Sequence, residues 1–287
     1  NTGNEDVRDR FIGQFSAKVN FTDNLYARGT IARDWESIDY MDYSPIGTAF
    51  TPRGLFNSNQ EQNVKTNYLG IINYAPEVSD DFGVNLMVGG QADRNAYTLS
   101  SISGREFIVP NFISYTNLSV LDNPNRIDTR WGTNSVFGQA DLNYKSFLNL
   151  TLTGRQDWFS TLNRDMNSIF YPSVGGSFIV SDLVTLPWKM NFLKLRANWA
   201  QVGSSNVGPG DVIRMYEIRT GGFRGITVQD GTSELIDVNL RPLTVTTTEG
   251  GFEMNFFQNR LGNDATYYSR ITTDDILKPN ISQTSGF

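Results

Sequence analysis

Hydrophobic and polar residues alternate along much of this chain at every second position, the spacing of strands that are apolar on one face and polar on the other. In FLNLTLTGRQDWF, Phe147 to Phe159, Leu148, Leu150 and Leu152 alternate with Asn149, Thr151 and Thr153, and the polar face runs on into Arg155 and Asp157. Phe11, Gly13, Phe15, Ala17, Val19 and Phe21 oppose Ile12, Gln14, Ser16, Lys18 and Asn20 in the same way. After the turn signal Thr22-Asp23-Asn24, Leu25, Ala27, Gly29 and Ile31 oppose Tyr26, Arg28 and Thr30, which completes a hairpin. Further alternating segments run from Val64 to Tyr74, Phe82 to Ala92, Val136 to Tyr144, Phe170 to Val180, Leu193 to Trp199, Gly250 to Phe256 and Leu261 to Ile271. The pattern predicts roughly ten strands and an all-β, antiparallel fold.

The predicted connections fall into two classes. Those around Asp23, Ser79, Ser146, Ser181 to Asn191 and Gln258 to Arg260 are short. Those from Ser37 to Gln62, Tyr97 to Gly132, Thr161 to Asn167 and Gly203 to Leu243 are mostly long and rich in Asn, Asp, Ser, Gly and Pro. Short and long connections therefore sit at opposite ends of one sheet, the asymmetry of an up-and-down barrel with short periplasmic turns and long extracellular loops.

A soluble β-sandwich also alternates, and strand length separates the two. A strand of about a dozen residues spans roughly 40 Å, and a tilt near 40° projects this to about 30 Å, the thickness of a bilayer core. Sandwich strands of about six residues need no such length. Trp35, Tyr74, Tyr144, Phe147, Trp158, Phe159, Trp199 and Tyr267 fall near predicted strand ends, where aromatic girdles sit at headgroup depth.

Composition narrows the chemistry. The 287 residues contain neither Cys nor His, which excludes Ser-His-Asp and Cys-His nucleophiles, His or Cys metal ligands and disulfides. The formal charge of −6 makes nucleic acid a poor partner. Mean hydropathy is −0.35, and no apolar run of about 18 residues suggests a transmembrane helix; a membrane barrel hides its apolarity in alternation. The opening NTGNEDVRDR lacks the basic and apolar regions of a signal peptide, so the leader is expected to be removed or the stretch to be part of a longer chain.

Specific motifs then appear. The runs SVFGQADLNYKSFLNLTLTGRQDWFSTL, SIFYPSVGGSFIVSD and FLKLRANWAQVGSSNVG, followed by TTTEGGFEMNFFQNRLGNDATYYSRITTDDIL, resemble the barrel of SusC-like TonB-dependent transporters of the Bacteroidetes outer membrane. The matching positions include Phe137, Gly138, Asn143, Tyr144, Leu150, Thr151, Arg155, Asp157, Ser160, Pro172, Ser173, Leu193 to Arg196 and Gly203, then Asn259 to Leu261, Tyr267, Tyr268, Thr273 and Asp275.

The resemblance implies that residues 1–287 are part of a barrel domain of about 22 strands, of which roughly ten are present, with the plug domain and the closing C-terminal strands not recognisable in the stretch. It also implies import of an oligosaccharide or peptide across the bacterial outer membrane. A SusD-like surface lipoprotein would cap the loops, and TonB would supply energy through the plug. A surface or secreted all-β recognition module, such as an adhesin, is the competing reading. No cofactor, metal site or catalytic group is expected.

Candidate substrate contacts come from two places. Trp35, Tyr40, Tyr43, Tyr115 and Trp131 lie beside acidic and amide residues in the predicted loops, a mixture suited to stacking on sugar rings and bonding their hydroxyls. Arg155 and Asp157 share the polar face two residues apart and fit a structural ion pair on a wet lumen wall better than a binding site. The carboxylate pairs Asp80-Asp81 and Asp274-Asp275 fall in turns with no partner acid at a fixed separation.

Overall fold

The computed structural model describes residues 2–122, 124–187, 189–205, 207–213, 216–219, 223–231 and 240–275. The remaining residues, including Asn206 of the GSSNVGPGD run and the terminal Ser285 to Phe287, lie outside the description.

Fourteen strands are present among the described residues: β1 (Gly3–Thr22), β2 (Leu25–Ser44), β3 (Leu55–Tyr74), β4 (Glu77–Ser79), β5 (Phe82–Phe107), β6 (Leu118–Leu121), β7 (Asn125–Tyr144), β8 (Leu148–Phe159), β9 (Ser168–Ile179), β10 (Met190–Ser204), β11 (Tyr216–Arg219), β12 (Val228–Gly231), β13 (Leu243–Phe256) and β14 (Leu261–Thr273). One sheet carries ten of them in the order β1-β2-β3-β5-β7-β8-β9-β10-β13-β14, with β4 and β6 each pairing with β5. Among the described residues the small strands β11 and β12 form a separate two-stranded sheet. Each long strand neighbours the next long strand in the chain, so the ten alternating segments of the sequence form an up-and-down meander.

The chain divides into two compact units. One comprises Lys18–Gly29, Leu69–Gln91 and Thr133–Phe287. Within it the alternation reads directly as register: Leu150 pairs with Leu142 and Gly176, while Thr151 pairs with Asp141 and Gly175. Leu195 likewise stands between Phe178 and Phe252. The apolar face is not covered. Val88 and Val136 are each 52 % exposed and Phe170 is 56 % exposed, whereas Tyr171, the next residue on the opposite face, is 7 % exposed. A sandwich buries this face as its core; here it is left for a nonaqueous surrounding.

Short reversals tie this unit together. Lys145 and Ser146 link β7 to β8 with φ of 47° and 62°, the left-handed pair that matches the twist of a tight hairpin. Around this turn Tyr144 packs on Phe147 with ring centroids 5.5 Å apart, Phe147 on Phe178 at 5.7 Å and Phe82 on Tyr144 at 6.3 Å. These edge-on and tilted contacts have the geometry aromatic pairs favour, and they form one expected girdle at the short-turn end. Lys145 reaches Asp81 at 3.4 Å, and the nearby carboxylate raises the pKa of its ammonium.

The other unit comprises Asn1–Ala17, Thr30–Tyr68 and Ala92–Gly132. It contains the distal parts of β1, β2, β3, β5 and β7. Ion pairs cross β1 and β2 at Arg10–Asp34, 2.7 Å, and Arg8–Glu36, 3.8 Å, and Asn67 Nδ2 on β3 donates to Asp93 Oδ1 on β5 at 2.6 Å. Phe56 and Phe107 are buried apolar residues of this unit, 3 % and 7 % exposed.

The first two long connections predicted from the sequence are corrected here. Ser37 to Gln62 and Tyr97 to Gly132 are mostly strand: β2 continues to Ser44, β3 begins at Leu55, β5 continues to Phe107 and β7 begins at Asn125. Their connecting segments shrink to residues 45–54 and 108–124. The reason is chemical: beyond Ile31, Ala92 and Val136 both faces of these strands carry polar residues, so the pairing persists while the period-two signal vanishes. Trp35, Trp199 and Tyr267 accordingly stand inside β2, β10 and β14 and not at their ends.

Candidate functional site

The most connected side chains of the polar face surround Arg155 and Asp157. Both project from β8 on the same side, and Arg155 Nε donates to Asp157 Oδ1 at 2.8 Å. The guanidinium reaches two further strands, donating from Nη2 to Ser135 Oγ on β7 at 2.8 Å and from Nη1 to Gln91 Oε1 on β5 at 3.3 Å. Its carbon also stands 5.6 Å from the centroid of the Phe137 ring, within cation–π range. From β9, Tyr171 Oη donates to Asp157 Oδ2 at 2.5 Å, so both carboxylate oxygens are occupied. Asp157 and Ser135 are buried at 7 % and 3 % exposure.

Backbone spacing makes room for this arrangement. A Cβ on Gly203 of β10 would stand 2.6 Å from Tyr171 Cε1 and 3.1 Å from Ile169 Cδ1. A side chain at 203 would collide with the tyrosine ring whose hydroxyl reaches β8. Five strands, β5 and β7 to β10, are thereby cross-linked on one face. Each guanidinium nitrogen of Arg155 and each carboxylate oxygen of Asp157 has a partner within the sheet, which suits a structural brace.

A second polar ladder lies nearer the short turns. Thr151 Oγ1 and Gln139 Nε2 donate to Asp141 at 2.8 Å each, Asn85 Nδ2 donates at 3.4 Å, and Asn73 continues the chain to Asn85 at 2.8 Å. On β10 and β14, Arg196 Nη1 donates to Asp264 Oδ2 at 3.1 Å, and Nη2 donates to Thr266 Oγ1 at 2.5 Å. Charged and amide side chains thus line one face from β3 to β14, opposite the uncovered apolar face.

The five candidate aromatic residues are not gathered. Trp35, Tyr40 and Tyr43 are half-buried residues of β2, and Trp131 is a half-buried residue of β7. Only Tyr115 occupies a loop, opening a short 3-10 turn capped by Ser114, where it is 52 % exposed. Tyr40 Oη accepts from Asn4 Nδ2 at 3.3 Å, whereas the Tyr43 ring abuts Gly3; by alternation Trp35 and Tyr43 share the face opposite Tyr40. The residues of the cluster that the sequence did not single out are Tyr171, Ser135 and Gln91, and Gly203 stood there only as a matching motif position. The YPS of the quoted β9 motif contained Tyr171, but no spacing pointed to its partner on β8. Among the described residues no group of three or more acidic side chains could hold a metal ion, and no helix is long and apolar enough to cross a membrane.

Comparison with known proteins bears directly on this two-faced sheet. The family described as TonB dependent receptor-like, beta-barrel, matches residues 1–286. The chain is similar to TonB-dependent receptor P26 of Formosa agariphila, with 24 % identity over 99 % of this chain and 30 % of that protein. It is also similar to TonB-dependent receptor P39 of the same organism, with 21 % identity over 94 % of this chain and 26 % of the relative. Its fold superposes on a chain of the RagAB peptide transporter with a TM-score of 0.92 at 14 % identity, covering all of this chain and 32 % of that one. The stretch thus spans about a third of the length of the proteins it matches. With its uncovered apolar face, its wet polar face and a family match from end to end, the chain belongs to the TonB-dependent receptor β-barrel family and resides in the bacterial outer membrane.

Proposed function

We propose that the full-length protein is an active importer of the SusC-like kind, taking up oligosaccharides or peptides too large for passive porins. The carrying observation is the superposition of the whole stretch on a chain of the RagAB peptide transporter. The polar face of β3 to β14 would line the passage, with Arg155, Asp157 and Tyr171 holding its wall. Energy would come from TonB through a plug belonging to the rest of the chain, and a SusD-like surface lipoprotein would cover the outer loops. The chain would supply a passage and perform no bond chemistry; both oxygens of Asp157 are bonded within the sheet, which suits a wall.

Among the candidate contacts, Tyr115 is the residue best placed to meet cargo or the covering lipoprotein, because it is exposed in a loop. The reading is tested by deleting the gene and measuring uptake of fluorescent peptides and glycans by intact cells, with and without a protonophore. Loss of energy-dependent uptake of one class is expected and identifies the cargo. Unchanged uptake and growth on every peptide and glycan source would overturn the proposal.

A further inference from the structure

In the unit that holds the distal parts of β2, β3, β5 and β7, most polar groups of the wet side have partners in neighbouring strands. Asn67 Nδ2 donates to Asp93 Oδ1 at 2.6 Å. Arg10 pairs with Asp34 at 2.7 Å, and Lys65 adds its charge to that of Arg10 in holding the Asp34 carboxyl below the usual carboxylate range. Five side chains of the same unit differ: Glu61 and Asn63 on β3, Asn95 and Tyr97 on β5, and Trp131 on β7. Among the described residues none of the five makes a side-chain hydrogen bond or an ion pair within the protein. All are half-buried, yet none has a polar atom sealed from solvent; among the described residues the sealed atom without a partner is Thr51 Oγ1. Their donors and acceptors are open to water.

Pairing brings the five together. Strands β3, β5 and β7 are neighbours in the sheet. The bond from Thr98 Oγ1 to Asp128 Oδ1 sets β5 against β7, and counting back along the antiparallel pair places Asn95 across from Trp131, on the face opposite Thr98 and Asp128. Along β5 this face continues that of Gln91 and Asp93. The Asn67–Asp93 bond sets β3 against β5, so Glu61 and Asn63 run beside Tyr97 and Asn95 on the same face. The charge of Glu61 accordingly reaches Tyr97, whose hydroxyl pKa is raised by burial and by that carboxylate. Three strands give the cluster a width of roughly 10 Å. Asn95 and Tyr97 lie three and five residues past Ala92, where the apolar series of β5 has ended.

The residue types select the ligand. An indole face and a phenol beside two amides and a carboxylate offer a stacking surface flanked by both donors and acceptors, the complement of a sugar ring and its hydroxyls. Glu61 is the charged member of the group, and an anionic ligand would meet its like charge. We propose that Glu61, Asn63, Asn95, Tyr97 and Trp131 form a subsite for one or two rings of an uncharged oligosaccharide, and that it disfavours sulfated or uronate chains. The proposal rests on the importer reading given above and narrows its cargo from glycan or peptide to neutral glycan. The site lies on the wall of the passage, whereas Tyr115 stands in a loop.

The test uses the full-length receptor in detergent micelles, titrated calorimetrically with maltohexaose, cellohexaose, laminarihexaose and xylohexaose, and separately with hexagalacturonate and with a pool of hexapeptides. The wild type is expected to bind at least one neutral hexaose and to prefer it to hexagalacturonate by about tenfold or more. Trp131→Ala should weaken that binding about tenfold and Trp131→Phe much less. Asn63→Ala combined with Asn95→Ala, which leaves the rings in place, should weaken it by about the same factor. Glu61→Gln should narrow the preference for neutral over anionic hexamer about fivefold. Heat-modifiable gel migration checks that each variant is a folded barrel. Absence of binding to every neutral hexaose, wild-type binding of hexagalacturonate as tight as theirs, or binding of the peptides alone would each overturn the subsite. So would neutral binding unchanged in the folded Trp131→Ala and asparagine variants, or a preference unchanged in Glu61→Gln. Energy-dependent uptake of any cargo by intact cells, measured in parallel, leaves the importer reading standing in those cases; its absence for every cargo overturns that reading itself.

Discussion

Asp157 illustrates how a charged residue is accommodated within a barrel wall. Its two oxygens accept from Arg155 and Tyr171, and its burial makes each bond worth more than an exposed one. Removing the tyrosine hydroxyl leaves a buried carboxylate oxygen without that donor, at a cost of about 1–3 kcal/mol. Tyr171→Phe in the full-length protein is therefore expected to lower the temperature at which the folded gel band converts to the unfolded one. Gly203→Val should lower it further, because its side chain would occupy the space of the Tyr171 ring. Unchanged conversion temperatures in both variants would deny the brace. Arg155 and Asp157 were legible in the sequence because they share a face at a spacing of two. Tyr171 was not, because Phe170, Tyr171 and the following Pro172 break the apolar-polar contrast that marks a face.

At the scale of the strand, the two faces answer to different solvents. Leu152 is 40 % exposed on the apolar face of β8, and Thr151 bonds Asp141 on the polar face. Leu152→Arg would place a cation against acyl chains at about 2–4 kcal/mol near the midplane. Thr151→Arg would place one beside a carboxylate in a wet interior. The first variant should reduce the yield of folded receptor in the outer membrane severely and the second only slightly, measured by heat-modifiable migration of membrane extracts. Equal losses would refute the assignment of faces. The ten long strands of the twelve-stranded sheet could be read from alternation, and the short β4 and β6 could not. The outer halves of β2, β3, β5 and β7 could not: these strands run to twenty residues or more, and past Ile31, Ala92 and Val136 both faces carry polar residues, so the strands are held by backbone pairing and by polar side-chain bonds such as Arg10–Asp34 and Asn67–Asp93 that leave no apolar period.

For the whole molecule, what alternation conveys is a membrane thickness and what it omits is the surface above the membrane. The candidate aromatic residues were assigned to loops because the apolar signal stops at Ile31, Ala92 and Val136, and four of the five proved to stand in strands. Strands β1 and β14 stand at the two ends of the strand order, and a bilayer does not tolerate unpaired strand edges. Experiments on this region therefore belong in the full-length receptor.

The central claim is that one face of this sheet meets lipid over a band that ends at a definite height. The stretch contains no cysteine, so single cysteines can be introduced at successive positions of β5 from Val84 to Thr98 in a full-length receptor otherwise free of cysteine. Each is spin-labelled in liposomes, and collision with oxygen is compared with collision with a water-soluble nickel chelate. Positions 84, 86, 88, 90 and 92 are predicted to favour oxygen and the intervening positions to favour nickel, with the alternation ending at Arg94 and nickel dominating beyond it. Nickel access at 84, 86 and 88 equal to that at their neighbours, or alternation continuing undiminished to Thr98, would contradict the account.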